Sequence, residues 1–333
     1  MISFSCPNCD DQLVFFENTE CLHCGQRLGF DPEAMTLVAV DPADADARYC
    51  ANRAVAACNW LVPSGSGELC RSCRLTRTRP ADTDTGALPA FAETEAAKRR
   101  LVYQLLDLGL PLDSWQDRAN GLGYDMLSSE GGPVTIGHQD GIITIDLAET
   151  DDPTREKVRQ DMGEAYRTML GHLRHETGHW YWYELVETPG LVEPFRELFG
   201  DERASYQESI DRHYASGPPA DWPERFVSAY ATMHPWEDFA ETFAHYLHIR
   251  DTLQTAAAYG VRIDVPAGED LVADPDVEVE HEPFDAILSD WLPLTYANGF
   301  YLVAVMCLVG TPLALLLPHG KPSSTGGPVA IEH

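Results

Sequence analysis

The sequence contains very little lysine. Lys98, Lys157 and Lys321 are its lysines, and 53 acidic side chains outnumber 23 basic ones in a chain of 333 residues. The formal net charge of −30 predicts an acidic surface, which repels nucleic acid and anionic membranes at long range. A nucleic-acid-associated regulator, whose binding would depend on salt, is therefore an alternative that the composition disfavours.

The first residues lack the pattern of a secretory signal. Met1 to Cys6 has no basic segment followed by a long apolar one. We therefore expect a reducing, cytoplasmic location, where the nine cysteines suit metal binding better than disulfides. A long apolar run, Phe300 to Pro318, is interrupted by Gly310 and Pro312. Because no basic residue flanks the run closely, we favour a buried terminal helix over a membrane anchor, which stays the alternative.

Composition divides the chain into four segments. Residues 1–79 are rich in cysteine and poor in periodicity, as expected of a small metal-stabilised module. Residues 80–92 contain turn formers and predict a linker. Helical and strand patterns over 93–297 predict an α+β domain, and 298–333 form an apolar tail.

Local patterns predict helices and a hairpin in the second half of the chain. Hydrophobic periodicity favours helices over Glu93–Leu110, Asp151–His179 and Trp236–Leu253. The stretch between the last two helices is rich in glycine and proline and is expected to be irregular. Val134–Ile136 and Ile142–Asp146 flank an Asp-Gly pair, which predicts a β-hairpin.

The predicted helix that ends at His179 contains an HExxH motif. His175 and His179 are four residues apart and share one helix face, so both imidazoles can bind a single zinc ion. Glu176 lies beside them and is suited to take a proton from a metal-bound water. The motif predicts a zinc peptidase with Glu176 as the general base. Two incidental histidines on a surface helix are the alternative.

A catalytic zinc also needs a third protein ligand. The third histidine of the metzincin pattern is absent, since Glu184 and Leu185 occupy that region, and Cys307 lies in the apolar tail. Glu237 and Glu241 are four residues apart, so they share one side of the next predicted helix. Each is a candidate ligand.

This pair of glutamates resembles the glutamate helix of the gluzincins. The resemblance implies that Glu237 is the third zinc ligand and that Glu241 accepts a hydrogen bond from His175. The reverse assignment of the two glutamates stays open. Other histidines near these faces are interpreted as packing or outer residues; they are His172, His245 and His248.

Tyr230 lies seven residues before Glu237. The spacing Tyr-x6-Glu-x-Phe-Ala-Glu is similar to that of lethal-factor-type zinc proteases, in which the tyrosine hydroxyl stabilises the tetrahedral oxyanion. The likeness implies that role for Tyr230. A buried tyrosine bonded to the backbone is the alternative. The likeness to zincins also implies that the strand Ile142–Asp146 is a substrate-binding edge strand.

Eight cysteines form two quartets in the N-terminal segment. The first has the CxxC…CxxCG pattern of a zinc ribbon and consists of Cys6, Cys9, Cys21 and Cys24. The second has CxxC in its second half alone and consists of Cys50, Cys58, Cys70 and Cys73. Each quartet predicts one structural zinc ion. The arginines around the second quartet are expected to pair with the acidic domain that follows rather than with nucleic acid.

Four stretches together resemble a bacterial family, the zinc-binding metallopeptidases with an N-terminal zinc-ribbon domain. They are the ribbon cysteines, Cys58–Pro63, Tyr166–Trp182 and Glu237–Tyr246, and the likeness covers residues 1 to about 297. It implies a zincin-like α+β peptidase domain, with a small sheet and active-site helices, behind the ribbon module. Beyond Ala297 the apolar tail departs from the amphipathic helix expected there.

The motifs and the resemblance together predict a zinc metallopeptidase that cleaves a peptide or protein substrate through a zinc-activated water. One catalytic and two structural zinc ions are expected. The ribbon is a possible site for a protein partner. The alternative function is a catalytically inactive zinc-binding adaptor or regulator that recruits such a partner through its ribbon.

Overall fold

A computed structural model of the chain describes residues 3–9, 12–41, 49–63, 65, 67–129, 132, 134–150 and 168–258. The apolar run Phe300–Pro318, Cys307 and the predicted tail 298–333 lie outside these residues, as does the first part of the helix expected from Asp151. No helix within the described ranges is long and apolar enough to cross a membrane.

The N-terminal segment is built from two small antiparallel sheets. Strand β1 (Ser3–Ser5) pairs with β2 (Leu13–Phe15), and β3 (Leu28–Asp31) pairs with β4 (Thr36–Ala39). Strands of three or four residues bury little apolar surface, so such sheets need additional support. The cysteine quartets described below are suited to supply it.

An aromatic cluster joins this segment to the first long helix, α1 (Leu88–Asp107). Phe30 packs on Trp60 with ring centroids 4.8 Å apart, and Phe16 lies 4.9 Å from Phe30. Tyr103 of α1 completes the cluster, 5.2 Å from Phe16. Because large aromatic rings contribute much of the energy of a small core, this cluster anchors the N-terminal segment on the rest of the fold.

Helix α1 begins at Leu88, before the predicted start at Glu93. Its first turn contains Pro89, whose fixed φ suits that position, and Asp84 accepts a hydrogen bond from the Ala87 amide at 3.1 Å. The turn-forming residues that predicted a linker therefore start the helix.

A four-stranded sheet follows, in the order β5-β6-β8-β7. Strands β5 (Thr76–Thr78), β6 (Gly123–Leu127) and β8 (Ile142–Asp146) are parallel, whereas β7 (Gly137–Gln139) runs antiparallel to β8. Arg77 of β5 forms an ion pair with Asp125 of β6. The pairing of the second-quartet arginines with the following domain is therefore confirmed for Arg77.

The predicted hairpin is present, with its first strand three residues later than expected. Asp140 and Gly141 have φ of 50° and 85°, as a type I′ turn requires. The expectation that Ile142–Asp146 is an edge strand is wrong, because β8 pairs with β6 on one side and β7 on the other. The edge strand is β7, whose sequence Gly-His-Gln is too short and polar to predict a strand.

Helix α2 (Met169–Trp182) contains the HExxH motif. Thr168 caps it in an extended conformation (φ −132°, ψ 158°), and its hydroxyl accepts the Gly171 amide at 3.1 Å. The prediction of one continuous helix from Asp151 to His179 is therefore wrong at Thr168. The apolar periodicity of the sequence continues across Thr168, although the side chain of this residue caps the start of α2.

Two short helices fill the stretch that the sequence predicted to be irregular. They are α3 (Val192–Phe199) and α4 (Tyr206–Ser216). Ser205 accepts the Glu208 amide at 3.3 Å, so the Ser-x-x-Glu spacing of a capping box marks the start of α4. This signal was present in the sequence and would have predicted the helix.

The last described helix, α5 (Pro235–Ala258), packs along α2. The helix predicted over Trp236–Leu253 is confirmed, with a longer C-terminal end. Gly178 of α2 makes the close approach possible, because a Cβ atom there would lie 3.0 Å from Cα of Ala240. The two helices thus bring the histidines of one against the glutamates of the other.

Candidate metal centres and active site

The first cysteine quartet has the spacing of a tetrahedral zinc site. Its four sulfur atoms lie within 4.8 Å of one another, with Cys6–Cys24 at 3.8 Å and Cys9–Cys21 at 3.9 Å. Zinc–sulfur bonds of about 2.3 Å in a tetrahedron separate the sulfurs by about 3.8 Å. The Asn8 amide donates to Cys24 Sγ at 3.5 Å and, as the largest cause, lowers the pKa of Cys24 to about 6.

The second quartet has the same spacing and is buried throughout. Cys58 Sγ lies 3.7 Å from that of Cys70 and 3.8 Å from that of Cys73, and all four sulfurs lie within 4.8 Å of one another. All eight described cysteines are free thiols. Glu95 of α1 reaches the Cys73 sulfur at 3.5 Å and bonds Lys98 at 2.6 Å. A buried ion pair of α1 therefore lies beside the quartet.

A third cluster joins α2 to α5. One donor atom each from His175, His179 and Glu237 lies within 4.8 Å of the others. Nε2 of His175 is 3.0 Å from Glu237 Oε2, and Nε2 of His179 is 3.5 Å from Glu237 Oε1. Ligand atoms around zinc at about 2.0 Å are separated by about 3.3 Å. Two imidazoles and one carboxylate at these distances fit a zinc ion with an open fourth position.

Glu241 lies behind the first histidine of this cluster. Its Oε1 is 2.7 Å from Nδ1 of His175. Burial raises the pKa of Glu241, but the hydrogen bond and positive charge of His175 outweigh it and lower the pKa to about 2. A carboxylate on the far ring nitrogen of a metal-binding histidine fixes the ring's tautomer and orientation.

Glu176 is buried beside the cluster and faces a different histidine. Its Oε1 lies 3.2 Å from Nε2 of His172. Burial raises the pKa of Glu176, but the hydrogen bond with His172 and the nearby histidine charges lower it to about 2. The side chain is therefore a carboxylate at neutral pH, which is the form that accepts a proton.

Two tyrosines line the same cavity as the cluster. The Tyr206 hydroxyl donates to Glu237 Oε1 at 2.8 Å. The Tyr230 ring lies 6.0 Å from that of His175. Burial raises the pKa of Tyr230, so its hydroxyl stays protonated and can donate. The sequence did not predict Tyr206, because its contact joins two helices from separate parts of the chain.

The other predicted outer histidines lie further along α5. His245 Nδ1 is 2.8 Å from the backbone oxygen of Glu241, and His248 Nδ1 is 3.2 Å from an Arg174 guanidinium nitrogen. They do not line the cavity described next. Both histidines therefore have packing contacts, as the sequence predicted.

The His/His/Glu cluster forms the floor of a cavity of about 420 Å³. Edge strand β7 forms one wall with Gly137 and His138, and Trp182 and Trp236 contribute apolar surface. Burial, followed by the charge of His179, lowers the pKa of His138 to about 4, and its Nε2 accepts the Gly141 amide at 3.2 Å. His138 is therefore neutral and positions the hairpin.

Comparison with known proteins agrees with this architecture. Residues 87–301 match the model of a family described as "Putative zinc-binding metallo-peptidase". The chain belongs to this family. Residues 3–84 match a zinc-ribbon domain, so the mixed helix-and-sheet fold carries a metallopeptidase-like domain behind a zinc ribbon.

Relatives of this metallopeptidase family member occur in mycobacteria. An uncharacterized protein of Mycobacterium bovis is 49% identical over 300 residues, which cover 89% of this chain and 86% of that protein. Uncharacterized proteins of Mycobacterium tuberculosis strains CDC 1551 and H37Rv match with the same identity and coverage. No solved structure matches the chain.

Proposed function

We propose that the protein is a zinc-dependent peptidase with a zincin-like, gluzincin-type site. His175, His179 and Glu237 would hold the catalytic zinc, and Glu176 would be the general base. The observation that supports this proposal most directly is the cluster itself, whose three donor atoms lie within 4.8 Å of one another on the floor of a cavity that Glu176 also lines.

The contacts of each side chain around the cluster support a specific role in peptide hydrolysis. When bound, zinc would supply a Lewis acid and lower the pKa of a bound water to about 7. Glu176, ionised and next to the cluster, would take the proton of the attacking water and pass it to the leaving amine. Tyr230 would donate a hydrogen bond to the oxyanion. Glu241 would hold His175 in place.

The substrate would lie along the free edge of the sheet. Among the residues that the structure describes, strand β7 pairs on one side alone, and it forms a wall of the cavity. An extended peptide can add to such an edge through backbone hydrogen bonds, which bind it without strong sequence preference. This arrangement supports binding of a peptide or protein substrate, as expected for a peptidase family, next to the His/His/Glu cluster.

We further infer that each cysteine quartet holds one structural zinc ion. The sulfur spacings near 3.8 Å support this inference. With the catalytic site, the chain would bind three zinc ions. A reducing compartment such as the cytoplasm would keep the thiols available to the metal.

The substitution Glu176→Gln tests the catalytic role. Gln has nearly the same shape and does not touch the metal, so zinc content and melting temperature should stay close to wild type. Hydrolysis of a randomised mixture of internally quenched peptides should fall by about 10²–10⁴-fold, as for loss of a general base. Equal zinc-dependent cleavage by both proteins would refute the mechanism. An inactive adaptor would show no zinc-dependent cleavage in either protein.

A further inference from the structure

The imidazole ring of His172 bridges two buried carboxylates. Its Nδ1 atom lies 2.8 Å from Glu149 Oε2, and its Nε2 atom lies 3.2 Å from Glu176 Oε1. The side chains of His172 and Glu149 are 9% and 6% exposed. Because little water reaches the ring, these two contacts determine its orientation.

Glu149 lies in a turn that local hydrogen bonds stabilise. It lies in a 3₁₀ turn, Leu147–Thr150, directly after strand β8. The Thr150 hydroxyl donates to the Leu147 carbonyl at 2.8 Å, and Asp146 accepts the Ala148 amide at 3.0 Å. The backbone that carries this carboxylate therefore continues directly from the sheet, whereas His172 belongs to helix α2.

Glu176 and His172 are one helical turn apart on α2, so the same face presents both side chains. The contact with His172 engages one carboxylate oxygen, Oε1, while Glu176 lines the cavity. Without that contact the side chain could rotate to other rotamers, including ones that turn it away from the cavity.

The charges of His172 and its two carboxylate partners also favour the position of the ring between them. Both ring nitrogens of His172 face carboxylate oxygens, so the doubly protonated ring can donate to each of them. Burial lowers the pKa of His172, but the hydrogen bonds with Glu149 and Glu176 outweigh it and raise the pKa above its ordinary value. Hydrogen bonds between charged partners are stronger than those between neutral ones.

We propose that His172 is a positioning residue that, anchored by Glu149, holds the general base Glu176 in its reactive orientation. This inference rests on the proposed peptidase function. In this arrangement, the turn after β8 positions Glu149, and Glu149 orients the imidazole ring of His172. The imidazole in turn orients the carboxylate of Glu176. His172 is not among the residues that line the cavity, so it would act through Glu176.

Two substitutions of His172 separate the contacts of its ring. The amide nitrogen of His172→Gln can occupy the place of Nε2 and keep the donor to Glu176, whereas that of His172→Asn can replace Nδ1 alone. We expect His172→Asn and Glu149→Ala to lower kcat by about 10- to 100-fold, the size of a lost charged hydrogen bond. KM and zinc content should stay near wild type, and His172→Gln, which keeps the donor to Glu176 but loses the contact with Glu149, should lower kcat less than His172→Asn does.

The probe is the randomised mixture of internally quenched peptides, assayed with the full zinc-loaded chain. His248→Asn is the matched control, because it changes a histidine of the neighbouring helix that contacts Arg174. Its kcat should equal that of wild type. If His172→Asn does not fold, Glu149→Ala and His172→Gln decide the question together.

The outcomes separate this inference from the function on which it rests. Absence of zinc-dependent cleavage by the wild type would overturn the peptidase function itself. Cleavage by the wild type with unchanged kcat in His172→Asn and Glu149→Ala would overturn the positioning role alone. Loss of zinc from these variants, or equal kcat in the Asn and Gln variants, would also overturn it, because His172 would then have a merely structural role.

Discussion

The Nδ1 atom of His175 lies 2.7 Å from Oε1 of Glu241. The opposite ring nitrogen is 3.0 Å from Glu237, which also lies 3.5 Å from His179. Glu237 therefore lies on the Nε2 side of the His175 ring, where it is also close to His179. Glu241 lies on the opposite, Nδ1 side of the same ring. This geometry supports Glu237, rather than Glu241, as the third metal ligand.

The two glutamates should differ when each is replaced by alanine. Glu237→Ala removes a donor of the cluster, so the catalytic zinc should be lost. Glu241→Ala should weaken zinc binding by about 10- to 100-fold, as is typical of a residue that orients a ligand. Elemental analysis and competition with a coloured chelator measure both effects. The opposite order would assign the ligand to Glu241.

Metal removal should proceed in steps. Three groups of donor atoms predict three zinc ions per chain. The proposed His/His/Glu site would have three protein ligands and an open position, so a mild chelator should empty it first and abolish cleavage. The buried second quartet should release its zinc last, with loss of secondary structure measured by circular dichroism. Two chelator-resistant ions, with no third, would contradict the catalytic site.

Zinc binding at the His/His/Glu site should strengthen as pH rises. In the metal-free protein, burial lowers the pKa of His175, but hydrogen bonds to Glu237 and Glu241 raise it well above 6.5. Below that raised pKa a proton occupies the ring, so zinc must displace it. Affinity should fall by about tenfold for each pH unit below the raised pKa.

Calorimetric zinc titration of protein whose cysteine sites are already loaded would measure this proton release. Glu241→Gln is the control, because it removes one interaction that raises the pKa of His175. This variant should release fewer protons near neutral pH. Equal zinc affinity at about pH 6 and pH 8 would contradict the prediction.

Gly178→Ala should loosen the contact between the two active-site helices. The added Cβ would lie 3.0 Å from Cα of Ala240, so α2 must move away from α5. We expect a loss of about 1–3 kcal/mol in the free energy of unfolding, as for an overpacked core, and weaker zinc binding. Gly86→Ala is the control, since its nearest atom would be 3.7 Å away. Equal melting temperatures of both variants would contradict this account.

Features that depend on short sequence spacing could be predicted well. The structure brings together the members of the HExxH motif, the Glu237–Glu241 pair and the three CxxC pairs, because residues three or four apart are placed by a single turn of backbone. Hairpin β7–β8 followed from the Asp140–Gly141 turn for the same reason. Cys50 and Cys58 are eight residues apart, so their place in the second quartet was predicted from the clustering of cysteines alone.

Features that depend on tertiary contacts could not be predicted in this way. Tyr206 reaches Glu237 from another helix, and Glu149 reaches His172 from the end of a strand. Strand order is also a tertiary property, so β8 was assigned to the edge that β7 occupies. At Thr168 the apolar periodicity predicted an uninterrupted helix, but the hydrogen bond from the Gly171 amide to the Thr168 hydroxyl marks a helix start.

Strand β5 begins three residues after Cys73, so a cysteine of the second quartet and an edge of the peptidase sheet share one short piece of backbone. The matched zinc-ribbon and peptidase regions meet between residues 84 and 87, beyond that strand. A peptidase fragment expressed from residue 87 would lack β5, and the buried Glu95 and Lys98 would lose their neighbours Thr76 and Cys73. The family matches divide the chain between residues 84 and 87, whereas the pairing of β5 with β6 crosses that point, so a functional exchange would have to transfer both parts together.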